Sequence, residues 1–251
     1  MLAKLIELRS VTERDTLYVF NCPELARAAR PGQFVELKIS DSLDPFLRRP
    51  LSIFDVEGDT FTLLVRTVGR GTEYMTRWEP GMEVDVLGPL GNGFFWTEKD
   101  ETFVLIGGGI GLAPLNFLAR QLLKQGKQVH LLFSPKRYSK LLEALSDPER
   151  MNVSFAENRT ALPAAVKTIL EKGVHRVFCC GPDGLMETVA GISVAMNIPC
   201  QLSMERHMAC GIGICLGCAI AIRTEQGLTY KKACKDGPVF NAEEVSFHEE
   251  P

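Results

Sequence analysis

The sequence predicts a multidomain protein: an antiparallel β-barrel or sandwich, an α/β domain with a parallel sheet, and a small cysteine-rich C-terminal domain. Three observations predict this organisation. Short apolar runs separated by turns fill the first part of the chain, and strands alternate with amphipathic helical segments from residue 102. Four of the eight cysteines lie between Cys210 and Cys234. We place the domains at 1–97, 98–204 and 205–251.

The composition excludes several classes of protein. The chain has 251 residues and is 45% hydrophobic, which is enough to build cores and excludes disorder, collagen and a disulfide miniprotein. A net charge of -3 without a long basic run offers no attraction for nucleic acid or an anionic membrane. We therefore expect the partner to be a small molecule or a protein.

Targeting and membrane signals are weak. Residues 1–9 lack the apolar core and cleavage site of a secretory signal, so we expect a cytoplasmic protein with reduced thiols. The uncharged stretch 102–119 has the length of a marginal membrane span, but it contains Pro114 and several glycines. These residues predict a strand, a tight loop and a helix start, so we expect no membrane association.

Five apolar runs predict the strands of the first domain: 2–8, 34–39, 51–56, 60–66 and 82–87. A turn at Gly58 joins two of them as a hairpin. The spacing is typical of an antiparallel barrel or sandwich.

Two motifs interrupt this pattern, RPLS starting at Arg49 and GRGT starting at Gly69. The second precedes a helical stretch at 73–78, so Thr72 is expected to be its N-cap and Gly71 would let a phosphate approach the helix end. A surface arginine before a proline turn and a glycine hairpin would explain both motifs without any function.

The second domain is expected to contain five strands, at 102–106, 128–133, 151–156, 174–179 and 199–204. Four helices lie between them. Pro114 opens the first, which stops at Gly126; the second starts near Tyr138, the third stops at Gly173, and Pro182 opens the fourth.

A glycine-rich segment, 107–114 (GGGIGLAP), follows the first of these strands and opens a helix. Backbone amides and a helix N-terminus in this position would bind a pyrophosphate. The segment departs from the strict G-x-G-x-x-G fingerprint, because Leu112 or Pro114 occupies the place of the third glycine. A turn that only lets a strand and a helix pack is the alternative.

The most specific pattern is C-x4-C-x2-C followed by an isolated cysteine, formed by Cys210, Cys215, Cys218 and Cys234. This is the ligand spacing of a plant-type [2Fe–2S] cluster. Three thiolates from one loop require the backbone to wrap closely around the cluster, which Gly211, Gly213 and Gly217 would allow. A zinc site is the alternative, although zinc sites usually use two short cysteine pairs.

In this order the motifs resemble the ferredoxin–NADP reductase-like superfamily, with its R-P-x-S, G-x-G-x-x-P and C-G-P motifs. Here these are RPLS at 49–52, GIGLAP at 109–114 and CGP at 180–182. The cysteine segment, with its ending C-K-D-G-P-V-F from Cys234, resembles more narrowly the electron-transfer subunit family of NAD-dependent, class 1B dihydroorotate dehydrogenases. The similarity extends over essentially the whole chain.

The resemblance implies a barrel that binds FAD, an α/β domain that binds NAD, and a ferredoxin-like domain with one [2Fe–2S] cluster. It implies a separate catalytic subunit that carries FMN and oxidises dihydroorotate in pyrimidine (UMP) biosynthesis, in a heterotetramer of two plus two chains. Electrons would pass from FMN through cluster and FAD to NAD⁺. No catalytic residue is implied for this chain.

The resemblance also implies site residues. Those expected at the cluster are Cys210, Cys215, Cys218 and Cys234, and those expected at FAD are Arg49, Pro50, Leu51, Ser52, Leu64, Val65, Arg66, Gly71 and Thr72. Those expected at the nicotinamide nucleotide are Gly107, Gly108, Gly109, Gly111, Pro114, Cys180, Gly181 and Pro182. Lys136 and Arg137 would suit a 2′-phosphate, and NAD is favoured by the family alone.

Two other functions remain open at this point. One is a flavin and iron–sulfur diaphorase subunit of another complex, of the sulfur reductase, hydrogenase or transhydrogenase type. The other is a zinc-stabilised binding module without a redox role. An exposed apolar patch around the cluster loop is expected if a partner docks there. Cys22, Cys179 and Cys200 are expected to be small buried hydrophobes.

Overall fold

The computed structural model describes residues 1–248, apart from the side chain of Arg137. The last three residues of the predicted third domain lie outside this range. Within it the predicted fold class is confirmed: a closed antiparallel barrel, a mixed sheet with helices, and a small C-terminal hairpin. No helix in the described range is long and apolar enough to cross a membrane.

Six strands close the barrel in the order β1-β2-β5-β4-β3-β6. Their bounds are β1 Leu2–Ser10, β2 Asp15–Asn21, β3 Phe34–Leu37, β4 Arg49–Glu57, β5 Thr60–Arg66 and β6 Glu83–Leu90. Alternate side chains, such as Ala3 and Leu5 on β1 and Val35 and Leu37 on β3, pack into one apolar core inside the barrel. The five predicted strands are present, and β2 is an additional strand between β1 and β5.

Two short helices accompany the barrel, α1 (Pro23–Ala28) and α2 (Arg70–Met75). The predicted start of α2 was wrong: the helix starts at Arg70, and Gly69 is its N-cap. Thr72 still caps the helix, but from its third position. Its Oγ1 accepts the backbone N–H groups of Val68 and Gly69, at 2.9 and 3.2 Å.

The second sheet has the order β14-β11-β10-β7-β8-β9. Five of its strands are parallel and lie at the predicted positions: β7 Thr102–Gly108, β8 Gln128–Ser134, β9 Asn152–Phe155, β10 Arg176–Cys180 and β11 Cys200–Ser203. Three α-helices connect them, α3 Leu112–Lys124, α4 Leu162–Leu170 and α5 Asp183–Ala195. The helix expected near Tyr138 is a 3-10 segment, Lys136–Ala144.

The C-terminal part shares the core of the second sheet. It contains the hairpin β12 (Ala219–Thr224) and β13 (Gly227–Lys232), and its strand β14 (Val239–Asn241) pairs antiparallel with β11. Buried residues of this part pack in one apolar cluster with residues of the parallel sheet, among them Cys218, Ile220, Ile222 and Phe240. A segment this short cannot build a sufficient core alone, so its neighbour stabilises it.

Candidate functional site

The cysteine loop surrounds the Cys210 sulfur with backbone donors. The N–H groups of Ile214 and Cys215 point at Cys210 Sγ, with nitrogen–sulfur distances of 3.4 and 3.5 Å. Hydrogen bonds from the backbone of Cys215, Ile212 and Ile214 lower the pKa of Cys210 to about 6. These hydrogen bonds therefore favour the thiolate of Cys210, which is the form that binds metal.

The four cysteines form two adjacent pairs. Cys215 also hydrogen-bonds the Cys210 thiol through its side chain, while Cys234 donates its backbone N–H to Cys218 Sγ at 3.4 Å. Cys218 and Cys234 are buried, and burial together with Cys218 raises the pKa of Cys234 to about 12. Cys234 also senses the charge of Cys210, so the pairs are neighbours.

This pairing fits a two-iron cluster, in which each iron takes two protein ligands. Among residues 1–248, no three or more His, Cys, Asp or Glu side chains are grouped to hold a metal ion. The backbone N–H groups directed at sulfur are the kind of outer contact that stabilises thiolate ligands and tunes a cluster. The chemistry of the donor set therefore matches the group expected from the spacing.

Left-handed backbone lets the loop turn this tightly. Gly211 and Gly213 have φ values of +65° and +84°, a region that glycine enters without strain. Gly217, which was expected to help, does not have a positive φ; Leu216 does, at +62°. A leucine in this conformation is strained, so the packing of the loop must compensate for it.

The RPLS strand and helix α2 meet at Arg49. A Cβ atom on Gly71 would collide with the Arg49 guanidinium, so glycine lets the arginine cross the helix start in this position. Arg49 also donates from Nη1 to the carbonyl oxygen of Leu47 at 2.6 Å. The predicted flavin residues Arg49, Gly71 and Thr72 are thus brought together, with Pro50, Leu51 and Ser52 following half-buried on β4.

Arg66 connects the end of β5 to the glycine loop. Its Nε and Nη2 bind the two carboxylate oxygens of Asp15 at 2.7 and 3.2 Å, and its guanidinium lies 5.4 Å from the centre of the Tyr138 ring. A Cβ on Gly109 would lie 3.5 Å from Arg66 Nη1. The predicted residues Leu64 and Val65 are buried in apolar cores, so their backbone alone is available to a ligand.

The glycine loop and the CGP turn pack directly on each other at the carboxyl ends of β7 and β10. A Cβ on Gly108 would lie 2.9 Å from Pro182 Cδ, and one on Gly111 would collide with the carbonyl of Cys180. Gly181 has a φ of +152°, and a Cβ on it would lie 3.0 Å from the Gly108 Cα. Packing therefore explains Gly108 and Gly111, as the alternative interpretation required.

The remaining glycine of this loop faces more open space. Gly109 has a φ of +57° in the 3-10 turn Gly109–Gly111, which continues into α3 with Pro114 as its third residue. Because the turn stands at the carboxyl edge of a parallel sheet, it lies where nucleotides bind in such sheets. Gly107 lies within β7, under the ring of Phe133.

Two further expectations concern side chains near this edge. Lys136 Nζ pairs with Glu157 Oε1 at 2.9 Å, while the side chain of Arg137 lies outside the described part of the chain. Cys180 is fully buried with its sulfur 3.9 Å from Glu205 Oε1, and burial raises its pKa well above the usual value. Cys22, Cys179 and Cys200 are buried free thiols, as expected.

Sequence reasoning missed Glu36. This residue lies on β3 with 1% of its surface exposed, and its carboxylate oxygens have no hydrogen-bond partner in the described chain. Burial raises the pKa of Glu36 to about 7, with the nearby Arg48 opposing and Cys210 adding to the rise. The only signal in the sequence is one acidic residue inside an apolar strand, FVEL.

The apolar patch expected near the cysteines is present on the loop itself. Ile212, Ile214 and Leu216 are 48%, 76% and 62% exposed, and Cys215 is exposed between them. Side chains of this type, placed together at the surface, are typical of a protein interface.

Comparison with known proteins gives relatives that match most of the chain. Residues 205–246 match the family described as the iron–sulfur cluster binding domain of dihydroorotate dehydrogenase B. The protein named "Dihydroorotate dehydrogenase B (NAD(+)), electron transfer subunit" from Caldanaerobacter subterraneus subsp. tengcongensis is 38% identical over 86% of this chain and 87% of its own. The subunit of that name from Geobacillus kaustophilus is 38% identical over 94% of this chain and 95% of its own.

Solved structures share the fold. The NADH-dependent reduced ferredoxin–NADP oxidoreductase, studied for flavin-based electron bifurcation, superposes with a TM-score of 0.84, at 24% identity, over 98% of this chain and 90% of its own. Phthalate dioxygenase reductase, described as a modular structure for electron transfer from pyridine nucleotides to [2Fe–2S], gives a TM-score of 0.61 at 19% identity over 94% and 77%. At these sequence identities the similarity shows a shared fold alone.

Proposed function

The chain belongs to the electron transfer subunit family of NAD(+)-dependent dihydroorotate dehydrogenase B, and we propose that it carries electrons from dihydroorotate oxidation to NAD⁺ in pyrimidine synthesis. The observation that carries this proposal is the pairing of four cysteines in the C-terminal part. The sulfurs of Cys210 and Cys218 receive backbone hydrogen bonds, and the cysteine segment lies beside a barrel and an α/β sheet of the reductase type.

We assign the cluster to Cys210, Cys215, Cys218 and Cys234, in the domain from residue 205. We assign FAD binding to the barrel domain, residues 1–97. There Arg49 offers a cation and the start of α2 offers backbone N–H groups to phosphate. We assign NAD binding to residues 98–204, where the glycine loop and the CGP turn form one surface. When bound, the cluster exchanges single electrons and FAD one or two, which connects hydride transfer to single-electron exchange.

Each of these residues has a task that its surroundings support. The loop favours the thiolate of Cys210 through backbone hydrogen bonds, which prepares this sulfur to bind iron. Arg66 is clamped by Asp15 beside Gly109, which orients a positive charge between the flavin strand and the nucleotide loop. All eight cysteines are free, which suits a reducing cytoplasm.

The partner is a catalytic subunit that holds FMN, in an assembly of two chains of each kind. The exposed patch of Ile212, Ile214 and Leu216 supports docking at the cysteine loop, because an apolar surface around Cys215 would be covered there. Docking at this loop would also exclude water from the cluster and bring the two subunits' redox groups close together.

The test is to co-express the chain with a dihydroorotate-oxidising flavoprotein and to measure dihydroorotate-dependent NAD⁺ reduction. We expect the pair to reduce NAD⁺, the catalytic subunit alone to fail, and the pair with Cys215→Ser to fail while Cys22→Ser retains activity. NAD⁺ reduction by the catalytic subunit alone would contradict the proposal. A colourless protein containing zinc would instead favour the non-redox binding module.

A further inference from the structure

The strongest feature that the proposed function does not use is the buried carboxylate of Glu36. Only 1% of its surface is exposed, and neither Oε1 nor Oε2 has a hydrogen-bond partner among residues 1–248. Burying a polar group without a partner destabilises a fold, so an apolar residue of the same size would be more stable here. The presence of such a residue calls for a reason outside barrel stability.

The location of Glu36 supplies that reason. On β3 its side chain points out of the barrel, because its neighbours Val35 and Leu37 fill the barrel core. Across the strand pair it lies opposite Pro50 of the RPLS motif. Glu36 therefore stands on the outer surface of the barrel, next to the strand assigned to the flavin.

The cysteine loop covers this carboxylate. A Cβ atom on Gly211 would lie 2.5 Å from Glu36 Oε1 and 2.7 Å from its Cγ, so the backbone between Cys210 and Cys215 rests on the side chain. Elsewhere the C-terminal part is held to the barrel by Asn92, whose N–H donates to the carbonyl of Gly237 at 2.6 Å. Glu36 lies in contact with the loop itself.

We propose that Glu36 is a positioning residue. The backbone at Gly211 packs against its carboxylate, and this contact fixes the separation between the cysteine loop and flavin strand β4. Its Oε1 lies against this loop without a hydrogen-bond partner, and the length of its side chain sets how closely the loop approaches. The inference rests on the proposed function, because it takes Cys210 and Cys215 as cluster ligands.

The first test compares Glu36→Ala with Glu36→Gln in the complete FAD- and cluster-containing protein. Alanine removes the contact with the Gly211 backbone, whereas glutamine keeps the length of the side chain and an acceptor oxygen. We expect Glu36→Ala to change the electron paramagnetic resonance spectrum of the reduced cluster and to slow cluster reduction after mixing with NADH about tenfold, because small misplacements of reacting groups have large effects on rate. Glu36→Gln should retain the wild-type spectrum and rate.

The second test is a steric rescue. Gly211→Ala places a methyl group against Glu36, and we expect about tenfold less cluster retention during chelator challenge, as for the loss of contacts around metal ligands. Adding Glu36→Ala removes the collision and should restore much of that retention. Gly213→Ala is the matched control, since its φ is also positive but its Cβ would meet Lys235, and Glu36→Ala should not rescue it.

These outcomes separate the two proposals. Wild-type protein without iron, sulfide or FAD would refute the proposed function. Loaded wild-type protein in which Glu36→Ala leaves spectrum and rate unchanged, or in which it fails to rescue Gly211→Ala, would overturn the positioning role alone. Equal defects in Glu36→Gln and Glu36→Ala would also overturn it, because the negative charge of Glu36, and not its packing against the Gly211 backbone, would then cause the defect.

Discussion

At the scale of single residues, the chemistry of each cysteine depends on its surroundings. Cys210 receives several backbone hydrogen bonds that favour its thiolate, while Cys179 is fully buried and burial raises its pKa well above the usual value. The same side chain is thus a metal ligand in one place and a small apolar group in another. The spacing in the sequence separates these two kinds of cysteine, because Cys210 receives its backbone donors from the short glycine-containing loop that follows it.

Replacing Cys215 tests the assignment of ligands. We expect purified Cys215→Ser to lose its cluster, since a serine oxygen is a poor replacement for a thiolate on iron. Iron and acid-labile sulfide, measured against FAD, should fall to a small fraction of the wild-type ratio. The control is Cys22→Ser, a buried thiol in the barrel core, which should leave the iron content unchanged. Equal iron content in Cys215→Ser and wild type would refute the ligand assignment.

Asp100 gives a prediction with a pH dependence. Burial acts to raise the pKa of Asp100, but the Thr97 backbone N–H and the Arg176 guanidinium, at 2.9 and 3.0 Å, outweigh it and the pKa is lowered. A lowered carboxyl pKa stabilises the fold above the unfolded pKa, and this stability is lost as the pH falls below about 4. Asp100→Asn should therefore destabilise the protein by about 3 kcal/mol at pH 7, where it leaves the buried Arg176 without its carboxylate partner.

The measurement for Asp100 is urea unfolding at pH 7 and at progressively lower pH. The difference between wild type and Asp100→Asn should shrink in acid, because the wild-type carboxylate becomes protonated. Asp59→Asn serves as the control, since its pair with Arg27 is exposed and should contribute at most about 1 kcal/mol. A difference that stays constant down to pH 3 would contradict the ionic origin of the effect.

At the scale of elements, the parallel strands were the most predictable part. Strands β7, β8 and β10 are mostly apolar and buried and lie between turn residues, a pattern typical of parallel strands covered on both faces. Strand β2 was missed because Asp15, Thr16 and Asn21 dilute its apolar residues, and it is stabilised by pairing with strands on both sides. The segment after Pro135 was expected to be an α-helix, but tertiary packing there favours a 3-10 conformation.

The site was predictable to the extent that it is local in sequence. The cysteine spacing and the glycine loop are short motifs, so their chemistry can be inferred directly. Glu36 could not be identified in this way, because its burial depends on the cysteine loop folding over β3 from the far end of the chain. The cap of α2 was placed at Thr72 instead of Gly69, since a glycine N-cap has no side chain to signal it.

The contact between the glycine loop and the CGP turn gives an element-scale prediction. Gly111 has an ordinary helical φ of -59°, so Gly111→Ala adds no backbone strain and acts only by colliding with the Cys180 carbonyl. Such overpacking costs about 1 to 3 kcal/mol. We expect the KM for NADH in ferricyanide reduction to rise about tenfold, a difference of about 1.4 kcal/mol, while FAD and iron contents stay constant.

The matched control for Gly111→Ala is Gly191→Ala. Gly191 lies within α5 with nothing near the position of a Cβ, so alanine should stabilise the helix by up to about 1 kcal/mol and leave the KM for NADH unchanged. An unchanged KM in Gly111→Ala would show that the loop does not contribute to nucleotide binding.

At the scale of the whole molecule, Arg120 of α3 joins the second sheet domain to the barrel. Its Nη1 lies 2.6 Å from Asp55 Oδ2 and its Nη2 lies 3.2 Å from Glu57 Oε1, both on β4. Asn116, one turn earlier on α3, donates to the Phe54 carbonyl at 3.0 Å. The α/β domain and the barrel are therefore connected by polar contacts, of which those to Asp55 and Phe54 are buried, and such contacts depend on geometry more than an apolar interface does.

Removing the Arg120 side chain should uncouple the two domains. Arg120→Met leaves Asp55 buried without its cation, which should destabilise the protein by about 3 kcal/mol and let the barrel unfold separately. The two tryptophans report on each side, because Trp78 lies in the barrel core and Trp96 packs on the core that includes α3. In urea, single-tryptophan forms made by Trp96→Phe or Trp78→Phe should unfold together with Arg120 present and at different midpoints in Arg120→Met. Coincident midpoints in the Arg120→Met background would show that the apolar interface alone couples the domains.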